Sequence, residues 1–165
     1  MMGTHAHQPA ALVRVATRDD IDGWLVLRNG LWPGDIDEHR AEINWQLDQM
    51  AKDIDGPGAI HVVLAFQNNS VTTMPIGMLE GSIRSHAEGC EPGRVAYVEG
   101  WFVAATHRRL GIGELLVDAL CEWGKMKGCV EIASDALLDN DLSYTAHTSL
   151  GFEEVDRCIN FRRSI

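Results

Sequence analysis

The stretch Arg108-Arg109-Leu110-Gly111-Ile112-Gly113 constrains this chain most, because it joins a strand-like run, Val95 to Val103, to an amphipathic helical run beginning near Gly111. A basic, glycine-containing turn that feeds a helix is suited to holding a phosphate. The first helical N–H groups lack backbone partners, the helix dipole favours negative charge there, and glycine lets the backbone approach a ligand closely. The spacing is R-x-x-G-x-G. It lacks the lysine and Ser/Thr of a nucleoside triphosphate loop and the third glycine of a dinucleotide loop. A tight strand-to-helix turn with two solvated arginines reads the same six residues equally well, so the rest of the chain must decide.

At 165 residues and 45% hydrophobic content the chain reads as a single domain, residues 1–165, with 1–10 expected to be disordered. No apolar run approaches the roughly 20 residues of a membrane span, and no basic segment followed by a hydrophobic one opens the sequence. A cytoplasmic protein without a membrane partner is the expectation. Cys90, Cys121, Cys129 and Cys158 show no C-x-x-C spacing, and the seven histidines form no H-E-x-x-H pair, so no metal is expected. The formal charge of −10 argues against nucleic acid as a partner. An acidic surface ordinarily serves solubility; its functional alternative is attraction of a polycationic substrate.

Leu12 to Ala16 reads as a first strand, and Thr17-Arg18-Asp19-Asp20 matches a capping box opening a helix through Ile21, Trp24, Leu25 and Arg28. Trp32-Pro33-Gly34 stops that helix, and Asp35 to Lys52 reads as a second. His61 to Phe66 and Pro75 to Ile83 read as two hairpin strands, Arg84 to Gly93 as a loop, and Val95 to Val103 as the strand before the basic turn. After the helix carrying Leu115, Leu116, Ala119, Leu120 and Trp123, the pattern gives a short strand, Val130 to Ala133. A helix from Asn140 to Leu150 and a final strand from Phe152 to Phe161 complete it.

This order, with a phosphate turn after the fourth strand, resembles the GCN5-related N-acetyltransferase fold. Asn140, then His147 seven residues later, then Leu150-Gly151-Phe152 resemble that superfamily's second coenzyme A motif. More narrowly, Leu31-Trp32-Pro33-Gly34, Val98-Glu99-Gly100-Trp101-Phe102-Val103, Trp123-Gly124, Lys127-Gly128-Cys129, Ala133-Ser134-Asp135 and Leu150-Gly151-Phe152-Glu153-Glu154 are similar to bacterial aminoglycoside 6′-N-acetyltransferases. The resemblance implies a mixed α+β fold, a mostly antiparallel twisted sheet of six or seven strands flanked by about four helices. It implies acetyl-coenzyme A as donor, its pyrophosphate at Arg108, Arg109, Leu110, Gly111, Ile112 and Gly113. The pantetheine arm would lie along Trp101, Phe102 and Val103, with Asn140 and His147 touching the cofactor. It further implies an aminoglycoside acceptor contacted by Trp32, Glu99, Asp135 and Asp156, and a homodimer.

Amide formation from a thioester needs a neutral amine, a polarised carbonyl and an outlet for the thiolate. Asp135, at the end of a short apolar strand, is the expected general base. Glu99, among Tyr97, Val98, Trp101 and Phe102, is the expected anchor, with a cationic substrate as its partner. A backbone N–H near Phe102 or Val103 would polarise the carbonyl. His147 stands where many members of the superfamily carry a tyrosine that protonates the thiolate; it is read as cofactor contact first and acid second, with Tyr144 as the substitute. An exposed indole at Trp32 would stack on a sugar ring. Two other readings stay open: a peptide or protein amine as acceptor, and a non-catalytic acyl-coenzyme A-binding module. Turnover of aminoglycosides against peptides separates the first, and indifference to loss of Asp135 and Glu99 would mark the second.

Overall fold

Period-two alternation along the strands sorts the apolar side chains into two layers, one on each face of a single sheet. The computed structural model describes residues 11–68 and 74–165; the N-terminal stretch expected to be disordered lies outside these. Five strands are present among them: β1 (Ala11–Val15), β2 (Ile60–Gln67), β3 (Gly77–Arg84), β4 (Val95–Val103) and β5 (Glu131–Ser134). They lie in sequence order, antiparallel from β1 to β4, with β5 parallel to β4.

Four helices cover the sheet: α1 (Ile21–Leu31), α2 (Ile36–Met50), α3 (Ile112–Met126) and α4 (Asp141–Ser149). On one face, Ile112, Leu116, Leu120 and Trp123 of α3 pack on Val63, Leu79, Ile83 and Ala96. On the other, Trp24 and Leu27 of α1 and Ile43 and Leu47 of α2 pack on Val62, Leu64 and Met78. Burying each such side chain stabilises the fold by roughly 1.5–3 kcal/mol before entropy is counted. The capping box at Thr17 and Asp20 is formed, and the Asp35 side chain caps α2 through the N–H groups of Asp37 and Glu38. Both polar starts satisfy helix N–H groups that the chain would otherwise leave open.

The expected last strand is corrected. Phe152 to Phe161 has no strand pairing, and Val155, Ile159 and Phe161 are 62%, 73% and 91% exposed. An apolar spacing makes a strand only when an edge is there to pair with, and this segment lies along none among the described residues. The strand count therefore falls from six or seven to five, while the fold class and the four helices hold.

Two irregularities in β4 prepare a site. In the register with β3, Glu80 faces Gly100 and Gly81 faces Val98, so Glu99 is an extra residue, a β-bulge. On the other side β5 pairs with β4 only from Val95 to Val98. Beyond Val98 the two strands part, and that edge of β4 has no strand neighbour among the described residues.

Candidate active site

The N–H of Ala104 donates to the Ile76 carbonyl. By two-residue alternation the backbone of Phe102 then points to β3, and the N–H and C=O groups of Trp101 and Val103 point to the open edge. Arg108 reaches that edge as well: its Nε donates to the Val103 carbonyl at 2.9 Å.

After a single helical turn at Ala105–His107 the chain enters the basic turn. Arg109 has φ of 61° and Gly111 has φ of 77°. A Cβ placed on Gly111 meets nothing within 4 Å, so its glycine serves backbone conformation and leaves the space above α3 open. No side chain caps α3, and its first N–H groups stay available to an anion. Gly113 has a different reason: a Cβ there would lie 2.7 Å from the Trp101 ring. The second glycine of the motif thus seats Trp101 against the first turn of α3, where the indole Nε1 is buried without a hydrogen-bond partner.

α4 closes the same region. Asn140 caps it, Oδ1 accepting from the Ser143 N–H at 3.0 Å, which leaves the amide NH2 for another partner. His147 Nδ1 lies 2.7 Å from the Ser143 carbonyl and Nε2 lies 2.8 Å from Ser134 Oγ. A carbonyl only accepts, so Nδ1 carries the hydrogen and Nε2 of the neutral ring accepts from the serine. The ring also meets Trp101 and Phe152 edge-on. His147 therefore ties α4 to the end of β5 with both nitrogens engaged.

The other face of the sheet holds a cleft of about 720 Å³, lined in part by Trp32, Trp45, Gln46, Ser82, Arg84 and Glu99. Trp32 is half-exposed. Its ring rests on Gly100, where a Cβ would come within 2.3 Å, and the Arg28 guanidinium lies 5.2 Å from the ring centre. Under it Glu80, 3% exposed, accepts from Trp24 Nε1 and Gln46 Nε2, both at 2.8 Å. Arg28 Nε stands 3.0 Å from the same carboxylate, yet it is not aligned as a hydrogen bond and Arg28 Nη1 has no partner, so this pair is held by charge. Burial pushes the Glu80 carboxyl up, against the opposing pull of Arg28, Gln46 and Trp24.

The bulge turns Glu99 onto this cleft. Its carboxylate accepts from Ser82 Oγ at 2.5 Å and from Arg84 Nε and Nη2 at 3.0 and 2.6 Å. The partner that its apolar neighbours call for is thus supplied by the chain itself. The same guanidinium lies 3.3 Å from the Tyr97 ring centre, and Tyr97 OH donates to Asp135 Oδ1 at 2.8 Å. Burial, then the bond to Asp135 and its charge, push the Tyr97 phenol up, so it remains a donor across the working pH range. Glu99 and Asp135 are brought together through Arg84 and Tyr97.

Asp156 is not brought there. Its carboxylate accepts from the neighbouring Arg157 N–H and, unlike that of Asp135, which Tyr97 and Arg84 connect to Glu99 although it too lies outside the cleft lining, has no such link to the cleft among the described residues. Arg84, Ser82 and Tyr97 went unread in the sequence. The signal for Ser82 and Arg84 was the alternation Met78, Glu80, Ser82, Arg84, which places three polar side chains on the cleft face of β3. Among the described residues no group of three or more His, Cys, Asp or Glu side chains is arranged to hold a metal, and no helix is long and apolar enough to cross a membrane.

Residues 22–152 match the model of the acetyltransferase (GNAT) family. An aminoglycoside N(6′)-acetyltransferase type 1 of Klebsiella aerogenes is 37% identical over 155 residues, 93% of this chain and 97% of that protein. One of Acinetobacter baumannii is 37% identical over 150 residues, 90% and 95% of the two chains. Among solved structures, AAC(6′)-Iy in complex with the bisubstrate analogue CoA-S-monomethyl-acetylneamine superposes with a TM-score of 0.81 at 32% identity, covering 94% and 99% of the chains. The 6′-N-acetyltransferase AAC(6′)-Ih of Acinetobacter baumannii superposes with a TM-score of 0.82 at 35% identity, with the same coverage. With that family match over residues 22–152 and these relatives covered almost end to end, and with a basic glycine turn, an open β4 edge and an acid-lined cleft in one fold, the chain belongs to the acetyltransferase (GNAT) family, among the aminoglycoside N(6′)-acetyltransferases.

Proposed function

We propose that this protein transfers the acetyl group of acetyl-coenzyme A to the 6′-amino group of aminoglycoside antibiotics by direct attack of the amine on the thioester. The observation that carries this reading is the placement of Glu99 and Asp135, linked through Arg84 and Tyr97, where β4 and β5 part. A polycationic acceptor finds carboxylates there, beside an open backbone edge for the donor.

Bound acetyl-coenzyme A supplies the thioester: a C–N bond forms, the C–S bond breaks, and the sulfur leaves as a thiolate that takes up one proton. The chain's residues do the rest. N–H groups from Gly111 to Glu114 hold the pyrophosphate, with Arg108 and Arg109 adding charge. The outward-facing backbone of Trp101 and Val103 pairs with the pantetheine arm, and one of these N–H groups polarises the carbonyl. The Asn140 amide donates to the cofactor. Asp135 takes the proton from the ammonium, directly or through one water, leaving the neutral amine that attacks. Glu99 anchors a second ammonium, and Trp32 offers its ring to a sugar face. With both nitrogens of His147 engaged, the thiolate either leaves unaided, thiol pKa values being near 8.5, or takes its proton from Tyr144. Asp156 has no part in this scheme.

Comparing kcat/KM for kanamycin or tobramycin with that for a panel of amine-bearing peptides tests the acceptor class. Aminoglycoside turnover well above any peptide is expected; undetectable aminoglycoside turnover overturns the reading. The chain works as one domain in the cytoplasm, where acetyl-coenzyme A is at hand. The exposed Val155, Ile159 and Phe161 support a homodimer covering this segment. Light scattering at micromolar concentration should give twice the chain's mass, and the mass of one chain contradicts it.

A further inference from the structure

Arg84 is in contact with both halves of the candidate acceptor site. Its guanidinium makes a two-point, charge-assisted pair with Glu99, the strongest geometry available to an arginine. It covers the face of Tyr97, whose hydroxyl holds Asp135. Burial works against the charged guanidinium here, yet the hydrogen bond and charge of Glu99, followed by the charges of Tyr97 and Asp135, keep it firmly protonated. A cation therefore already sits where the proposed function brings a substrate ammonium.

We propose that Arg84 is an internal competitor of the acceptor: the aminoglycoside must displace its guanidinium from Glu99 before an ammonium can bind there. The inference rests on the acceptor class proposed above. Displacement is feasible because the pair is only partly withdrawn from water, its side chains being 42% and 36% exposed. Water screens even a two-point pair at this exposure, so it lowers acceptor affinity by a modest factor without closing the site. β3 ends at Arg84 and the irregular segment from Ser85 begins there, so the side chain has somewhere to turn. The competition selects for acceptors with several amines, since a polycation can offset the displacement through ammonium contacts elsewhere in the site, which a lone ammonium cannot make.

The test is the steady-state kinetics of Arg84→Gln and Arg84→Lys with kanamycin, alone and in a Glu99→Gln background. Arg84→Gln should lower the kanamycin KM by roughly 3–5-fold, the span of an exposed ion pair, with kcat and the acetyl-coenzyme A KM little changed. Arg84→Lys, which keeps the charge and loses the fork, should fall between the two. In the Glu99→Gln background the substitution should leave KM unmoved, because nothing remains to compete for. A packing role for Arg84 predicts the opposite, a loss of kcat or a raised KM in both backgrounds. An unchanged or raised KM in Arg84→Gln, with wild-type turnover intact, overturns this inference alone. Absence of wild-type turnover overturns the acceptor assignment and this inference with it.

Discussion

Asp135→Asn should lower kcat for kanamycin by about 10²–10⁴-fold at neutral pH, the usual contribution of a positioned general base. The substitution keeps the size of the side chain and its ability to accept from Tyr97 OH, which donates at 2.8 Å. Only the capacity to take a proton is lost. The acetyl-coenzyme A KM should stay close to the wild-type value, because the turn at Arg108 to Gly113 and the β4 edge are untouched. The defect should shrink as pH rises, because a growing fraction of the amine arrives already neutral and no longer needs the base. Loss of less than about fivefold, or a defect independent of pH, would transfer the role of base to Glu99.

Glu80→Ala should be the most destabilising change near the cleft, by about 3–5 kcal/mol, because it leaves Arg28 buried without a counter-charge. For a chain of this size that corresponds to a fall in Tm of roughly 6–20 °C, at 2–4 °C for each kcal/mol. Three neighbours lose their partner at once: Arg28 its charge, and Trp24 and Gln46 an acceptor at 2.8 Å each. Arg28 lies against the Trp32 ring, so the acceptor KM should rise along with the loss of stability. Replacing both charges, Arg28→Met with Glu80→Leu, should cost less than Glu80→Ala alone. Thermal unfolding followed by circular dichroism reads the stability of both variants; a Tm for Glu80→Ala within 2 °C of wild type contradicts the account.

The parts of this fold that were legible in the sequence are those whose cause is local. The 3.6-residue spacing of Leu116, Leu120 and Trp123, the Thr17–Asp20 box and the glycine at position 111 each carry their structural reason within a few residues. Phe152 to Phe161 failed because pairing depends on an edge elsewhere in the molecule, which an apolar spacing does not report. The apolar neighbours of Glu99 call for a partner, with a cationic substrate as the sequence's candidate; in the structure Arg84, fifteen positions away, meets the carboxylate through the bulge at Glu99. A bulge shifts which residues share a face, and no pattern along one strand announces it. His147 shows the same limit: the Ser143 carbonyl is one turn away in α4, but the contact with Ser134 depends on how α4 docks against β5.

Thiol release from acetyl-coenzyme A, measured with kanamycin A and with its 6′-hydroxy analogue, tests the central claim most directly because the two acceptors differ in the amine at issue. The account predicts release with kanamycin A and none above background with the analogue. Equal release with both would place the acetylated amine elsewhere on the drug and contradict it.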